Sequence, residues 1–328
     1  MGTQVIREMA SVGEKMSSPQ TYQKFQNYHI TAKGEARANV KLSQLKTLWF
    51  NTGTLCNLTC QNCYIESSPK NDRLSFLSRE DVIPFLEEIR QNNLKTTLIG
   101  LTGGEPFLNS QIISILSAIL KHDFEVLVLT NAYRAIDRFK DKLIQLKEIY
   151  QSKLHIRISL DHYTKEVHEH ERGSGTFEKT LQSIKWLSDN GFNISLAGRS
   201  LLNEDLDQVR AYYQNLLDHY NIDLNLSNND KIVIFPEMDL KNDVPEITTA
   251  CWDILGKKPE DQMCATERMI VKRKGEDRPK VVPCTLLAYG AQFELGENLR
   301  DAKQEVFLNH PFCAQFCVLG GASCSSTK

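Results

Sequence analysis

The sequence of 328 residues lacks several features that would assign it to a special class of protein. No apolar run reaches the roughly 18–20 residues of a membrane-spanning helix, so we expect no membrane association. The first twenty residues lack the apolar centre of a secretion signal, which predicts a cytoplasmic protein. Lys and Arg number 39 against 41 Asp and Glu, which is not the basic excess typical of a nucleic-acid partner.

Cysteine is absent from the first 55 residues, and nine cysteines then occur in two groups. Three lie close together, at Cys56, Cys60 and Cys63, and the other six all follow residue 250. An odd number without an export signal argues against structural disulfides and favours metal ligation in a reducing compartment. Zinc and iron–sulfur clusters compete as interpretations. The first group has no nearby fourth ligand, so a cluster bound there would keep one iron open.

From residue 45 onward, short apolar runs alternate with stretches of helical spacing. The runs that we interpret as buried parallel strands are 45–51, 97–101, 125–130, 154–160, 193–197 and 231–235. Helices are predicted at 110–121, 177–190 and 206–219, and another begins at Ser78 as its cap. Such a β/α series predicts an α/β fold, a partial (β/α)6 TIM-like barrel, with its chemistry on the loops after the strands.

The alternation stops near residue 245, and the rest of the chain is rich in cysteine. We therefore expect three parts. Residues 1–44 form an extension that drapes over the body, residues 45–240 form the partial barrel, and residues 241–328 form a small unit that needs metal to fold.

The first cysteine group follows the first predicted strand and has the spacing Cys-x3-Cys-x2-Cys, with Tyr64 next. Here the chain resembles the radical S-adenosylmethionine (AdoMet) superfamily. The resemblance implies that Cys56, Cys60 and Cys63 hold three irons of a [4Fe–4S] cluster and that the fourth iron chelates AdoMet. Reduction would then cleave AdoMet to a 5′-deoxyadenosyl radical, which abstracts a substrate hydrogen. Half of a zinc site is the alternative.

Gly103, Gly104, Glu105 and Pro106 follow the second predicted strand. A Gly-Gly pair at a strand end often marks only a tight turn. In the resembled family, a Gly-Gly-Glu-Pro segment at this place meets the amino group of AdoMet through backbone carbonyls and the Glu. The resemblance therefore implies that these four residues bind the cofactor.

Later strand ends carry polar residues that the resemblance also assigns to AdoMet. Ser159 and Asp161 would bind the ribose hydroxyls, although Asp161 capping the next loop is the alternative. Arg199 would pair with the AdoMet carboxylate, with a surface salt bridge as the alternative. Asn131 would lie near AdoMet or substrate, and Glu237 would line the adenine side.

A polar run after the fourth predicted strand contains His162, His168, His170 and Arg172. Its end, Arg-Gly-x-Gly, resembles the family's connection into the fourth helix. We interpret the run as a solvated loop or a polar wall beside the substrate rather than a metal site.

The C-terminal cysteines resemble the SPASM/twitch extensions of radical AdoMet enzymes, which hold auxiliary iron–sulfur clusters. The full SPASM unit has seven cysteines, whereas this chain has five from residue 264 on, so the resemblance implies one auxiliary [4Fe–4S] cluster. Its four ligands would come from Cys264, Cys284, Cys313, Cys317 and Cys324, with one left spare. Cys251 is interpreted as an ordinary buried thiol, and zinc is the alternative metal.

The resemblance implies an oxidoreductase or a related radical enzyme, served by an electron donor such as flavodoxin or ferredoxin. The auxiliary cluster would transfer electrons or bind substrate. Peptide-modifying members often carry an N-terminal leader-recognition domain, and the 44 residues before the first strand are too few for one. This favours oxidation or rearrangement of a small molecule. A peptide- or protein-modifying maturase and a non-enzymatic iron–sulfur scaffold are the alternatives.

Overall fold

A computed structural model of the chain describes residues 23–200, 204–236, 238 and 241–324. Its strands are β1 (Asn39–Val40), β2 (Thr47–Asn51), β3 (Leu98–Thr102), β4 (Glu125–Thr130), β5 (Leu154–Ser159), β6 (Asn193–Ser200), β7 (Ile232–Pro236), β8 (Glu267–Val271), β9 (Lys280–Val282) and β10 (Val306–Phe307). Its α-helices are α1 (Arg79–Gln91), α2 (Ile112–Lys121), α3 (Lys140–Tyr150), α4 (Lys165–Arg172), α5 (Thr176–Asp189), α6 (Leu206–His219) and α7 (Cys251–Leu255).

One sheet of eight strands forms the centre of the fold, in the order β7-β6-β5-β4-β3-β2-β8-β9. The strands β2 to β7 are parallel and adjacent in chain order, with helices in each connection. The predicted α/β partial barrel is therefore confirmed, and its six strands begin and end within a few residues of the predicted bounds. Their carboxyl ends lie at one edge of the sheet.

Local sequence explains why these elements form. The residues of β2 are buried throughout, as expected for a strand covered on both faces. The indole of Trp49 on β2 lies over Gly100 of β3, where a Cβ atom would come within 2.1 Å of the ring. Helix α1 begins at a capping box, in which Ser78 and Asp81 each bind the other's backbone N–H.

The cysteine-rich part continues the barrel sheet instead of forming a separate one. Strand β8 pairs in parallel with β2, and β9 pairs antiparallel with β8. The sequence analysis gave no bounds for these strands, because the region was interpreted as short of long periodic segments. The sheet therefore crosses the boundary predicted near residue 240, and the division into domains stays a prediction.

The described part of the N-terminal extension, residues 23–44, lies across the C-terminal region. Strand β1 pairs antiparallel with β10. The buried guanidinium of Arg37 donates to the carbonyls of Asn27, Ile30 and Leu308 and to the carboxylate of Glu246. Residues 1–22 lie outside the described residues, and the extension as a separate part of the chain stays a prediction. Within the described ranges, no helix is both long enough and apolar enough to cross a membrane.

Candidate active site

A cavity opens at the carboxyl edge of the parallel strands and brings together most of the predicted site residues. Its lining includes Cys56, Cys60, Cys63, Tyr64, Gly103, Gly104, Ser159, Asp161 and Arg199. The loop after β2 supplies the three cysteines and Tyr64, the loop after β3 supplies the two glycines, and the ends of β5 and β6 supply the rest. Glu105 and Pro106 do not line the cavity. Glu237 lies outside the described residues.

The cysteine loop is fixed by α4, an element that the sequence analysis interpreted as a loop. The amide of Asn62 donates to both carboxylate oxygens of Glu171, at 3.2 and 3.0 Å. The backbone N–H of Gln61 donates to the Glu171 carbonyl at 2.9 Å. On the other side, the N–H of Cys56 donates to the carbonyl of Ser68. Hydrogen bonds from the protein thus hold the loop at both ends.

The two glycines after β3 bring their loop into backbone contact with the cysteine loop. The N–H of Gly104 donates to the Gly53 carbonyl at 2.7 Å. A Cβ atom at Gly104 would lie 2.1 Å from the carbonyl oxygen of Leu55. Gly103 has a φ of +141°, a conformation that strains any other residue. The pair is thus required for loop packing, and both glycines also face the cavity.

The structure gives Glu105 a different environment from the one predicted for it. Its carboxylate accepts hydrogen bonds from the Phe107 N–H at 3.0 Å, the Thr130 hydroxyl at 2.8 Å and the Asn131 N–H at 2.9 Å. Burial raises the pKa of this carboxyl, and the donors from Phe107 and Asn131 offset part of that rise. The side chain therefore links the loop after β3 to the end of β4 instead of pointing at a ligand.

Pro106 is the other predicted ligand that the cavity does not include. It is buried and opens a 3-10 turn, Pro106–Leu108, which Glu105 caps. The fixed φ of proline suits the first position of such a turn. The backbone geometry of this turn is therefore enough to explain why a proline occupies position 106.

A group of four charged side chains lies beside the cysteine loop. Asp161 accepts a two-point hydrogen bond from Arg172, at 2.7 and 2.9 Å. Arg199 lies farther away, with its Nε 3.4 Å from Asp161 and its NH1 3.8 Å from Glu171. Arg199 also donates to the Asn62 carbonyl at 2.9 Å. Neither the loop-capping alternative for Asp161 nor the surface salt bridge for Arg199 describes this partly buried group.

The two arginines of this group lower the pKa of Asp161. Burial alone would raise the pKa of Asp161, but Arg172 and Arg199 lower it to about 2. Asp161 is therefore ionised throughout the physiological range. Arg172 lines the cavity, and the sequence analysis did not assign it a site role. The only sequence feature that could have indicated a site role for Arg172 is its position in the Arg-Gly-x-Gly segment that resembles the family.

The polar run with three histidines is not a solvated loop. Most of it forms α4, and the side chains of His162 and His168 are buried while His170 is exposed. His162 contacts the Thr164 hydroxyl and the Glu204 carboxylate. The imidazole of His168 packs edge-on against Phe177, and neither of its nitrogens has a hydrogen-bond partner. His162 and His168 therefore pack within the fold, and His170 lies at the surface.

The donor set of the first cysteine group suits an iron–sulfur cluster. The three thiols line one cavity, and two of them already accept backbone N–H groups. Leu58 donates to Cys56 Sγ at 3.4 Å and Ser67 donates to Cys63 Sγ at 3.3 Å. N–H donors stabilise thiolates. Burial raises the pKa of the Cys56 thiol to about 12, so its proton must leave when metal binds.

A second cavity, closed and apolar, is lined by Cys264, Cys284, Cys313 and Cys317. The last two lie on a π-helix, Cys313–Leu319. Cys324 instead lines the first cavity and contacts the Thr285 hydroxyl at 3.2 Å. Cys251 contacts Thr248. Among the described residues, no three His, Cys, Asp or Glu side chains are arranged to hold a single metal ion.

Comparison with known proteins gives a family match over most of the barrel. Residues 50–231 match the model of the Radical SAM superfamily. The chain is 33% identical to the antilisterial bacteriocin subtilosin biosynthesis protein AlbA of Bacillus subtilis (strain 168) over 164 residues. The aligned segment covers 50% of this chain and 35% of AlbA. It is 26% identical over 158 residues to the mycofactocin maturase MftC of Mycolicibacterium smegmatis, and that alignment covers 48% of this chain and 38% of MftC. The match thus spans little more than a third of either relative.

Solved structures share the fold. SuiB of Streptococcus suis, bound to its precursor peptide SuiA, superposes with a TM-score of 0.57 at 14% identity, over 78% of this chain and 63% of that one. The structure of anSMEcpe with bound AdoMet superposes with a TM-score of 0.56 at 16% identity, over 78% and 80%. At these identities the likeness concerns the fold alone.

Proposed function

This chain belongs to the radical SAM superfamily, and from that premise we propose that it is a maturase that modifies a peptide. Enzymes of the superfamily use a [4Fe–4S] cluster and AdoMet. When bound, this pair supplies a carbon-centred radical that removes a hydrogen atom from the substrate. The observation that carries the proposal is the single cavity shared by the three motif cysteines and by the polar residues at the strand ends.

The relatives support a peptide as the substrate more than a small molecule. AlbA is named for the biosynthesis of a bacteriocin and MftC as a maturase. SuiB has been crystallised with a precursor peptide. The preference for a small molecule rested on the length of the chain before the first strand. That argument carries less weight than these relatives, so we favour the peptide alternative.

Cys56, Cys60 and Cys63 would hold the cluster, on a loop that Glu171 fixes from one side and Gly104 from the other. Gly103 and Gly104 would present backbone carbonyls to the AdoMet amino group. Their close packing against the cysteine loop supports this, because the same contact brings both loops to the same edge of the cavity. Tyr64 lines the cavity beside them.

Arg199 is better suited than Arg172 to meet the AdoMet carboxylate. The contacts of Arg172 with Asp161 are short, at 2.7 and 2.9 Å, and occupy two of its donors. Those of Arg199 with Asp161 and Glu171 are longer, at 3.4 and 3.8 Å, and its side chain is 18% exposed. Its remaining contact is the 2.9 Å bond to the Asn62 carbonyl, so Arg199 gives up one short hydrogen bond when it turns to a ligand, whereas Arg172 gives up two. Because Asp161 is occupied by arginine, Ser159 is the better candidate for the ribose.

For the auxiliary cluster we propose Cys264, Cys284, Cys313 and Cys317 as the four ligands. Their shared cavity supports this set, and the position of Cys324 in the other cavity marks it as the spare thiol. Four protein ligands leave no open iron, which favours electron transfer over substrate binding at this site.

Three further expectations remain predictions: that the reaction is an oxidation or reduction, that flavodoxin or ferredoxin donates the electron, and that the protein is cytoplasmic.

The first experiment tests radical chemistry. The full chain is reconstituted anaerobically with iron and sulfide and given dithionite and AdoMet, and 5′-deoxyadenosine is measured. We expect product from the wild-type protein and none from a Cys60→Ala control. Equal amounts from both proteins would contradict the proposed site, and no product from either would favour the non-enzymatic scaffold.

The second experiment tests the substrate class. Short peptides encoded by neighbouring genes are synthesised with deuterium on their side-chain and α carbons and added to the same reaction. Deuterium in 5′-deoxyadenosine, together with a changed peptide mass, supports the proposal. Product without deuterium from any such peptide, and with unchanged peptide masses, would contradict a peptide substrate while leaving the radical chemistry intact.

A further inference from the structure

Asn131, the residue after β4, contacts a sulfur of the first cysteine group. Its side chain is buried, and its Nδ2 lies 3.6 Å from Cys56 Sγ. The same nitrogen donates to Asn57 Oδ1 at 2.9 Å. An amide NH2 group has two hydrogens, so it can serve both acceptors.

The backbone of Tyr133 fixes which atom of each amide faces the other. Its N–H donates to Asn131 Oδ1 at 2.8 Å, which turns the NH2 group of Asn131 toward Cys56. Its carbonyl accepts from Nδ2 of Asn57, which turns the oxygen of Asn57 toward Asn131. A backbone N–H can only donate and a carbonyl can only accept, so neither amide can flip without losing a bond. The N–H···S contact is therefore set by the main chain.

The rest of Asn131 is held as firmly. Its N–H donates to Glu105 Oε2 at 2.9 Å, and its carbonyl accepts from the Thr180 hydroxyl at 3.4 Å. The buried Glu105 carboxylate thus connects the Gly-Gly loop to the residue that faces the sulfur. These two bonds hold the backbone of Asn131, and with the bond from Tyr133 they keep its amide beside the sulfur.

We propose that Asn131 is a positioning residue that sets the reduction potential of the cluster bound at Cys56, Cys60 and Cys63. This inference rests on the proposed function. Reduction adds negative charge to the cluster and its thiolates, and an N–H donor on a ligand sulfur stabilises the reduced form. Cys56 accepts two such donors, from Leu58 and Asn131, whereas among the described residues Cys60 accepts none. The contact is therefore directed at one ligand of the three.

Two variants remove the donor in different ways. Asn131→Ser keeps an oxygen that can accept from the Tyr133 N–H but has no amide to reach the sulfur. Asn131→Asp keeps the shape and replaces the NH2 group with an oxygen. Both should shift the potential of this cluster to more negative values, and the shift should be larger for Asn131→Asp because a carboxylate repels the thiolate.

Asn109 offers a matched control. It is buried, its Oδ1 accepts from the Gln111 N–H at 2.9 Å, and its amide donates to the carbonyls of Leu77 and Thr52. It thus holds the start of the cysteine loop by the same kind of turn, with no sulfur contact among the described residues. Asn109→Ser should leave the potential near the wild-type value.

The measurement is a redox titration of the reconstituted full chain, followed by electron paramagnetic resonance. The relevant cluster is the one whose spectrum changes when AdoMet is added. A more negative potential in both Asn131 variants, beyond any change in Asn109→Ser, supports the inference. Potentials equal to wild type in both Asn131 variants would overturn it and leave the proposed function standing. A wild-type protein without an AdoMet-responsive signal would overturn the proposed function and this inference together.

Discussion

The indole Nε1 of Trp49 donates a hydrogen bond of 2.6 Å to Oε2 of Glu267. Both side chains are buried, with exposed fractions of 0% and 2%. Trp49 lies on β2, the first barrel strand, and Glu267 begins β8 in the cysteine-rich part. Because β2 and β8 also pair along their backbones, this contact joins the radical-cluster side of the molecule to the auxiliary-cluster side.

Removing the indole donor should destabilise both parts together. Trp49→Phe removes the hydrogen bond to Oε2 of the buried Glu267 carboxylate, and we expect a loss of about 2 kcal/mol in the free energy of unfolding. Denaturant titration of the reconstituted full chain under anaerobic conditions measures it. Glu267→Gln keeps an oxygen for the indole and should cost less. An unchanged unfolding midpoint in Trp49→Phe would show that the contact contributes nothing.

Gly104→Ala should uncouple the two loops at the cavity. The added Cβ would meet backbone atoms of Leu55, which cannot move aside without shifting the cysteine loop. A displacement of about 1 Å can cost on the order of 100-fold in rate, so we expect a loss of that size in 5′-deoxyadenosine formation per bound iron.

Gly34→Ala is the comparison for this change, because no atom lies within 4 Å of the added Cβ, although its φ of +80° strains the backbone. It should keep near-normal product formation. If Gly104→Ala reacts as well as Gly34→Ala, the close loop contact is not needed for the reaction.

The ion group at Asp161 predicts a specific pH dependence of stability. Because the folded-state pKa of Asp161 is lowered to about 2 from 3.8, its contribution is present above about pH 4 and is lost as pH falls through about 2. Asp161→Asn should therefore lower the free energy of unfolding at pH 7 by about 3 kcal/mol, and its difference from wild type should narrow between pH 4 and pH 2.

Asp72→Asn serves as the exposed counterpart, since Lys274 lowers the pKa of Asp72 at the surface. It should match wild type closely at each pH, because solvent screens that pair. A difference between Asp161→Asn and wild type that stays constant down to pH 2 would contradict the assigned ion pairing.

The ligand set of the second cavity can be tested by counting metals. Two [4Fe–4S] clusters require about eight irons per chain. Cys317→Ser should drop to about four, whereas Cys324→Ser should keep about eight, as should Cys251→Ser. About four irons in Cys324→Ser would show that Cys324 is a ligand, and four irons with one zinc in the wild-type protein would show that the second site is not an iron–sulfur cluster.

Several features of the fold were predictable because they depend on neighbouring residues. The run at 125–130 is a strand with those bounds, since buried parallel strands are continuous apolar segments. The start of α1 follows from Ser78 and Asp81, whose capping box spans only four positions. The three motif cysteines lie close together in the sequence, and Gly103 and Gly104 are adjacent, so each group could be identified without the structure.

What the sequence determined by itself was the order of strands, the position of the cysteine loop and the membership of the motif residues in one site. Only the tertiary structure decided that β8 joins β2, that the Glu105 carboxylate binds the end of β4, that Asp161 pairs with Arg172 and that Cys324 lies in a different cavity from the four cysteines proposed as auxiliary ligands. The physical reason is the range of the interactions. Periodicity and caps act within a few residues, whereas a buried charge or thiol takes its partner from whatever distant segment the packing of the whole sheet places beside it.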